Sequence, residues 1–143
     1  MLANREVQKH APSKRELDEI RALIERDLAD AALPGLSADR RFATAYNAAL
    51  QTCKMAIASA GYRVASGAGH HKTSFEAVKL AMASTADAYA DYFDTCRRKR
   101  NILEYTSSHV ATQTEAEELV QKAIEFREFV ERWIETNHPA LKA

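Results

Sequence analysis

Residues 97–105, RRKRNILEY, close a long amphipathic segment and decide our interpretation of the chain. At about 100° per residue, Phe93, Cys96 and Leu103 fall on one apolar stripe of a helix. Arg100 lies four residues after Cys96 and three before Leu103, so its side chain points along that stripe. Because burying an unpaired guanidinium is expensive, we expect Arg100 either to have a carboxylate partner or to line a polar cleft.

Length and composition are those of one soluble domain. The chain has 143 residues, of which 46% are hydrophobic and 28% charged. These values are ordinary for a globular protein of this size. Twenty basic residues balance twenty acidic ones, so the whole chain does not have the charge of a nucleic-acid binder. The informative feature is the local cluster of positive charge at 97–100.

The sequence favours a reduced, cytoplasmic protein. It has no charged-then-apolar leader and no apolar run long enough to cross a membrane. Cys53 and Cys96 lack the spacing of a zinc site, and both fall on apolar helix faces. We therefore expect them to be small core residues.

We divide the chain into an arm and a single domain. Residues 1–12 are polar and end in Ala-Pro, which predicts a flexible arm, and residues 13–143 form the domain. Ser13 and Glu16 have the spacing of a capping box and open a helix that continues to about Ala32.

Two further helices follow the Pro-Gly break after the first. Ser37 is a good N-cap for the second helix, which carries apolar residues at helical spacing and ends at Gly61. Residues 62–71 lack periodicity and are predicted to be the longest internal loop. A third, shorter helix is predicted over about 73–84.

The last two predicted helices complete a bundle. The fourth spans about 86–105 and contains the RRKRNILEY motif. Thr114 and Glu117 suggest a second capping box, which opens a fifth helix to about Asn137. No segment has the pattern of a strand. Since the connections are short, we predict an all-α, up-and-down bundle of about five helices.

Several kinds of site are absent from the sequence. It contains no glycine-rich phosphate loop, no HExxH motif and no calcium-binding loop. His70 and His71 are adjacent, and adjacent helical positions do not share a face. We therefore expect no metal site and no bound cofactor.

A cationic, hydrogen-bonding surface remains as the candidate site. Arg is well suited to phosphate because its planar fork pairs with two oxygens and stays charged. Asn101 could hold a base edge or a ribose hydroxyl, and Tyr105 could bond a phosphate oxygen or stack under a base. The candidate nucleic-acid-binding residues around Arg100 are Arg97, Arg98, Lys99, His70, His71 and Lys72. The alternative is a surface cluster that pairs with the acidic first and fifth helices.

The segment Arg100-Asn101-x-x-x-Tyr105, late in a long helix, resembles the signature of the HEPN superfamily (higher eukaryotes and prokaryotes nucleotide-binding domain). Members are helical bundles of about this length that carry Arg, often a polar residue next, and His a few residues later. Two other stretches are similar to the family. Residues 41–50 resemble its Ala- and Tyr-rich second helix, and residues 70–73 resemble the basic start of its third.

The resemblance implies a homodimer whose motif helices meet across a two-fold axis and line a shared cleft. In active members this cleft cuts RNA without a metal ion, in toxin–antitoxin-like or defence modules. Carried over, Arg100 would bind the scissile phosphate, and Asn101 would orient the RNA or the Arg. The resemblance also implies a small nucleotidyltransferase as a partner.

Tyr105 stands where the family carries His. A His pKa near 6.5 suits proton transfer at neutral pH, whereas the Tyr pKa near 10 does not. His109, or His70 and His71, could supply the acid or base if the fold brings them close. Three hypotheses stay open: a metal-independent endoribonuclease, a non-catalytic homodimeric binding protein, and a structural dimer in which Arg100 pairs with an acid such as Asp94 or Glu104.

Overall fold

The computed structural model describes residues 6–105 and 110–143, without the side chains of 103–105. This part of the chain contains five α-helices, a two-stranded sheet and a short 3-10 helix, Pro139–Leu141. The all-α prediction is confirmed. The helices are α1 (Lys14–Ala31), α2 (Ala38–Ser59), α3 (His70–Ala81), α4 (Asp87–Tyr105) and α5 (Gln113–Asn137).

Helix α2 is the centre of the molecule. It packs against each of the other four helices, and its alanines allow their backbones to approach closely. Tyr46 is fully buried on this helix, between the core and α3. Cys53 and Cys96 are both buried and free, so their predicted role as core residues is confirmed.

The absence of strands was a wrong prediction. Val7–Lys9 forms strand β1, which pairs antiparallel with strand β2, Tyr62–Val64. The first strand lies within the stretch predicted as a flexible arm, and the second lies within the predicted 62–71 loop. The pairing gives backbone groups on both segments hydrogen-bond partners and ties the N-terminal residues to the end of α2.

The first capping box is only half formed. Ser13 accepts a hydrogen bond from the Glu16 backbone N–H, as predicted. The Glu16 carboxylate, however, contacts Nε2 of His10 at 2.7 Å. The N-terminal segment is thus held to α1 by a side-chain pair as well as by the sheet.

Helix α3 begins three residues earlier than predicted. Gly69 precedes it in a left-handed conformation, with φ of 79°, which favours glycine. His70 and His71 therefore lie in the first turn of a helix and not in a loop. The direction of their side chains is therefore set by the geometry of the helix.

The cap of α5 was placed two residues too late. Thr112 is the N-cap, and a full capping box joins it to Glu115, not Thr114 to Glu117. The chain before it is fixed by Asp39, whose carboxylate accepts from the backbone N–H of Ala111 at 2.8 Å.

The corrected cap gives a matched pair of stability predictions. Thr112→Ala removes the side chain that satisfies the Glu115 N–H and should lower the free energy of unfolding by about 1 kcal/mol. Thr114→Ala, an exposed position inside the first turn, should leave it nearly unchanged. Urea denaturation measures both. Equal losses, or a larger loss for Thr114→Ala, would contradict the observed cap.

Among the described residues, no helix has the combination of length and apolar character needed to cross a membrane.

Candidate functional site

An open pocket of about 280 Å³ lies where helices α1, α2, α3 and α4 come together. Arg100 lines it from α4, His70 and His71 from the first turn of α3, and Lys54 from α2. Arg100 is thus partly buried and borders a polar cleft, one of the two environments expected from its position on the apolar stripe. We call this cavity the arginine pocket.

Tyr46 connects Arg100 to His71. The Arg100 guanidinium carbon lies 5.7 Å from the centroid of the Tyr46 ring, within the range of a cation–π contact. The Tyr46 hydroxyl lies 3.0 Å from Nδ1 of His71, so the two form a hydrogen bond. This bond fixes the His71 ring and leaves its other nitrogen, Nε2, for a ligand in the pocket.

The two histidines share the arginine pocket, although adjacent helical positions normally face apart. Their rings meet edge to face with centroids 4.3 Å apart. Burial lowers the pKa of His71 to about 4, and the nearby charges of His70, Arg100 and Lys54 add to the effect. The pKa of His70 is also lowered, mainly by burial and to a smaller extent by the charge of Lys54. Both imidazoles are therefore neutral at pH 7 in the absence of a bound anion.

Tyr46 itself stays a neutral phenol. Burial raises its pKa above the ordinary value, against the opposing charge of Arg100. If the Tyr46 oxygen accepts the Nδ1 proton of His71, Nε2 carries the lone pair and can act as a base.

Lys54 is the pocket residue that our sequence interpretation missed. Burial lowers the pKa of its amine, and within the described part of the chain no carboxylate pairs with it. The signal was present in the sequence: Asn47, Gln51 and Lys54 form a polar stripe at helical spacing on an otherwise Ala-rich helix. The half-buried Lys54 adds a second cation to the arginine pocket.

The three basic residues before Arg100 point elsewhere. Arg97 donates to Asp94 at 2.8 Å, and Arg98 is 74% exposed at 4.0 Å from the same carboxylate. Lys99 pairs with Glu115 at the start of α5 and borders a separate, smaller cavity. Only Lys99 pairs with the acidic fifth helix, as the alternative expects, whereas Arg97 and Arg98 lie beside Asp94 of their own helix.

Two further predicted residues lie outside the arginine pocket. Lys72 and Asn101 are exposed and do not line the arginine pocket. Tyr105 ends α4, and its side chain is outside the described part, as is the whole of His109. Asp94 bonds Arg97, as noted above.

Among the described residues, no group of three or more His, Cys, Asp and Glu side chains is arranged to hold a metal ion.

Comparison with known proteins identifies the family. Residues 34–131 match the family model described as SAV_6107-like HEPN. Since the match covers well over half of the chain, the protein belongs to the HEPN superfamily, as the resemblance predicted. The matched segment contains Lys54, His70, His71 and Arg100, whereas α1 precedes it. No curated protein and no solved structure gave a significant match.

The lowered pKa of His71 predicts a pH effect on stability. The unfolded chain protonates His71 as the pH falls through about 6.5, whereas the folded protein resists this until about pH 4. The unfolded state therefore binds more protons in this window, and stability falls as the pH falls. After allowing for the exposure of the ring, we expect wild type to lose about 1 kcal/mol more than His71→Gln between pH 7 and pH 4.5.

Urea denaturation at several pH values measures this difference. His138→Gln, outside the arginine pocket, is the control and should follow the wild-type curve. Identical pH profiles for wild type and His71→Gln would show that the ring is not held neutral by its surroundings.

Proposed function

We propose that the protein binds single-stranded RNA in the arginine pocket and cleaves it without a metal ion. The observation that carries this proposal is the convergence of Arg100, His70 and His71 from two helices on one open cavity. Membership of the HEPN superfamily supports an RNA-related role.

Arg100 is the phosphate ligand in this proposal. Its guanidinium can donate two parallel hydrogen bonds to phosphate oxygens, and its charge stabilises the negative charge that develops in the transition state. The Tyr46 ring beneath it restricts its position. Lys54, in the same pocket, is available for a neighbouring phosphate or for the same one.

His71 and His70 divide the proton transfers. The 2′-hydroxyl of RNA attacks phosphorus while its proton passes to Nε2 of His71, the ring whose Nδ1 is held by the Tyr46 hydroxyl. The bond from phosphorus to the 5′ oxygen breaks, and that oxygen takes a proton from His70. A bound phosphate raises the pKa of both rings by adding opposite charge, so that His70 can be protonated. The products are a 2′,3′-cyclic phosphate and a 5′-hydroxyl.

The histidine pair of α3 would compensate for the Tyr that stands at position 105, where the family carries His. Tyr105 is a poor base at neutral pH, but a histidine pair in the same pocket as Arg100 supplies the missing group. The proposal therefore does not need the His that other family members carry on α4.

We extend the proposal to a homodimer, as the resemblance implies. Ile102, 51% exposed two residues after Arg100, is a side chain that such a two-fold contact could cover. Sedimentation of wild type and Ile102→Glu tests this part separately. A monomeric wild type would contradict it.

The test of function uses purified protein and a labelled single-stranded RNA in EDTA. We expect cleavage to products with cyclic phosphate ends. Binding should weaken with salt, with a slope of log affinity against log salt of about −0.7 for each phosphate that Arg100 and Lys54 neutralise. RNA left intact at high protein concentration would exclude the nuclease. Salt-dependent binding without cleavage would support the alternative, a non-catalytic RNA-binding protein.

A further inference from the structure

The arginine pocket has two chemically different walls. Lys54 and Arg100 are cationic, and together with the neutral imidazoles of His70 and His71 we call them the cationic wall. Asp27 from α1 and Asn47 and Gln51 from α2 line the same pocket, beside Arg26, and we call these three the acid-amide wall. A site for phosphate alone has no use for a carboxylate, because like charges repel.

The two amides of this wall are available to a ligand. Asn47 and Gln51 are four residues apart and therefore lie on the same face of α2. Among the described residues, neither side-chain amide has a protein hydrogen-bond partner. Each amide offers one acceptor oxygen and two donor hydrogens. Half-buried amides that line a cavity and lack a protein hydrogen-bond partner are typical of a site that hydrogen-bonds the polar edge of a ligand.

Asp27 adds an acceptor-only group to the same wall. Its side chain is 15% exposed and forms an ion pair with Arg26 at 3.9 Å, a distance too long for a hydrogen bond, and Arg26 also lines the pocket. Burial raises the pKa of this carboxyl group, which shows that its environment does not compensate its charge fully. A ligand with two adjacent N–H donors would supply what the carboxylate lacks.

We propose that the acid-amide wall reads a guanine base of the single-stranded RNA that the cationic wall holds. The Asp27 carboxylate accepts from the guanine N1–H and N2 amino groups, and an amide of Asn47 or Gln51 donates to O6. Among the four bases, guanine presents these two neighbouring donors beside an acceptor, whereas adenine, cytosine and uracil do not. This inference rests on the RNA binding proposed above.

The dimensions of α2 allow one nucleotide to span both walls. Asn47 and Lys54 are seven residues apart, which is about 10 Å along a helix. Leu23 and Leu50 also line the pocket and offer apolar surface to the faces of a base. A cavity of about 280 Å³ suits one base better than a longer segment.

Helix α1 precedes the segment that matches the family, so the Asp27 carboxylate comes from outside the matched residues. In this proposal α1 contributes Asp27 to base recognition, α4 contributes the phosphate ligand Arg100, and α2 contributes both amides and Lys54.

The experiment measures binding of 2′-O-methyl trinucleotides, which lack the attacking hydroxyl, by fluorescence anisotropy. The middle base is guanine, adenine, cytosine, uracil or hypoxanthine, and the outer bases are uracil. We expect guanine to be preferred about tenfold or more over adenine, cytosine and uracil. Hypoxanthine, without the N2 amino group, should bind several-fold more weakly than guanine.

Asp27→Asn tests the residue itself, because it keeps the shape but replaces one acceptor oxygen with a donor. It should lose the guanine preference, while Asp30→Asn, an exposed change on the same helix, should keep it. Thermal melting of both variants checks that they fold.

The outcomes separate this inference from the proposed function. Equal wild-type affinity for all five trinucleotides would overturn base reading but leave RNA binding intact. A guanine preference that persists in Asp27→Asn would overturn the role of Asp27. No binding of any trinucleotide would contradict both the inference and the RNA binding on which it rests.

Discussion

Arg100→Ala is expected to lower RNA cleavage by about 10²–10³-fold, the loss typical of removing one donor that stabilises transition-state charge. The substitution removes the group that the proposal places on the scissile phosphate. It also removes the contact with the Tyr46 ring, which is worth about 1 kcal/mol. Gel assays of a labelled RNA, with circular dichroism of the variant, make the measurement.

Arg15→Ala is the matched control for charge. It also removes one guanidinium, but from a side chain on α1 that is 91% exposed. Its cleavage rate should stay within about twofold of wild type, because exposed ion pairs such as Arg15–Glu19 contribute little. Arg100→Lys keeps the charge without the planar fork and should be intermediate. Equal activity of Arg100→Ala and Arg15→Ala would remove Arg100 from the mechanism.

The second large effect concerns His71. His71→Asn is expected to lower the cleavage rate by about 10²–10⁴-fold, because it removes the proposed base. Affinity for uncleavable RNA should change much less, since Arg100 and Lys54 remain. Arg100→Ala should instead weaken both binding and cleavage, so the two variants distinguish proton transfer from phosphate binding.

His138→Asn is the control for the loss of an imidazole. His138 follows α5 and contacts Trp133, and it does not line the arginine pocket. It should cleave RNA at the wild-type rate. If His71→Asn also does so, the proton acceptor must be sought elsewhere.

The helices were predictable because their apolar residues repeat at helical spacing over many turns. The first residues of α3 and α5 were harder to predict. Thr112 and Thr114 each have Glu three residues later, and the local pattern cannot choose between them. The choice is made by Asp39, which holds the backbone before α5 from a distant part of the chain.

The small sheet was missed for a related reason. Each strand has three residues, too few for an alternating pattern to be visible. The two strands are also far apart in the sequence, so no turn signal connects them. Their pairing is set by the tertiary fold, which brings the N-terminal segment past the end of α2.

Part of the candidate site could be predicted, because Arg100 interrupts an apolar stripe and so marks a polar environment. Spacing alone could not show which of the neighbouring basic residues line the pocket. Arg97 forms an ion pair with Asp94, and Lys99 forms one with Glu115. Lys54 was missed because most residues of α2 are apolar, and the polar stripe on this helix is only one residue wide. Only the tertiary fold brings Lys54, His70 and His71 to Arg100.

The most direct test of the arginine pocket as the RNA site is an NMR titration. The imidazole signals of His70, His71 and His138 are recorded while an uncleavable 2′-O-methyl RNA is added. We predict that the His70 and His71 signals move and that the pKa of His71 rises from about 4, because phosphate brings negative charge into the pocket. The His138 signal should not move. RNA that binds without shifting His70 and His71 would contradict the account.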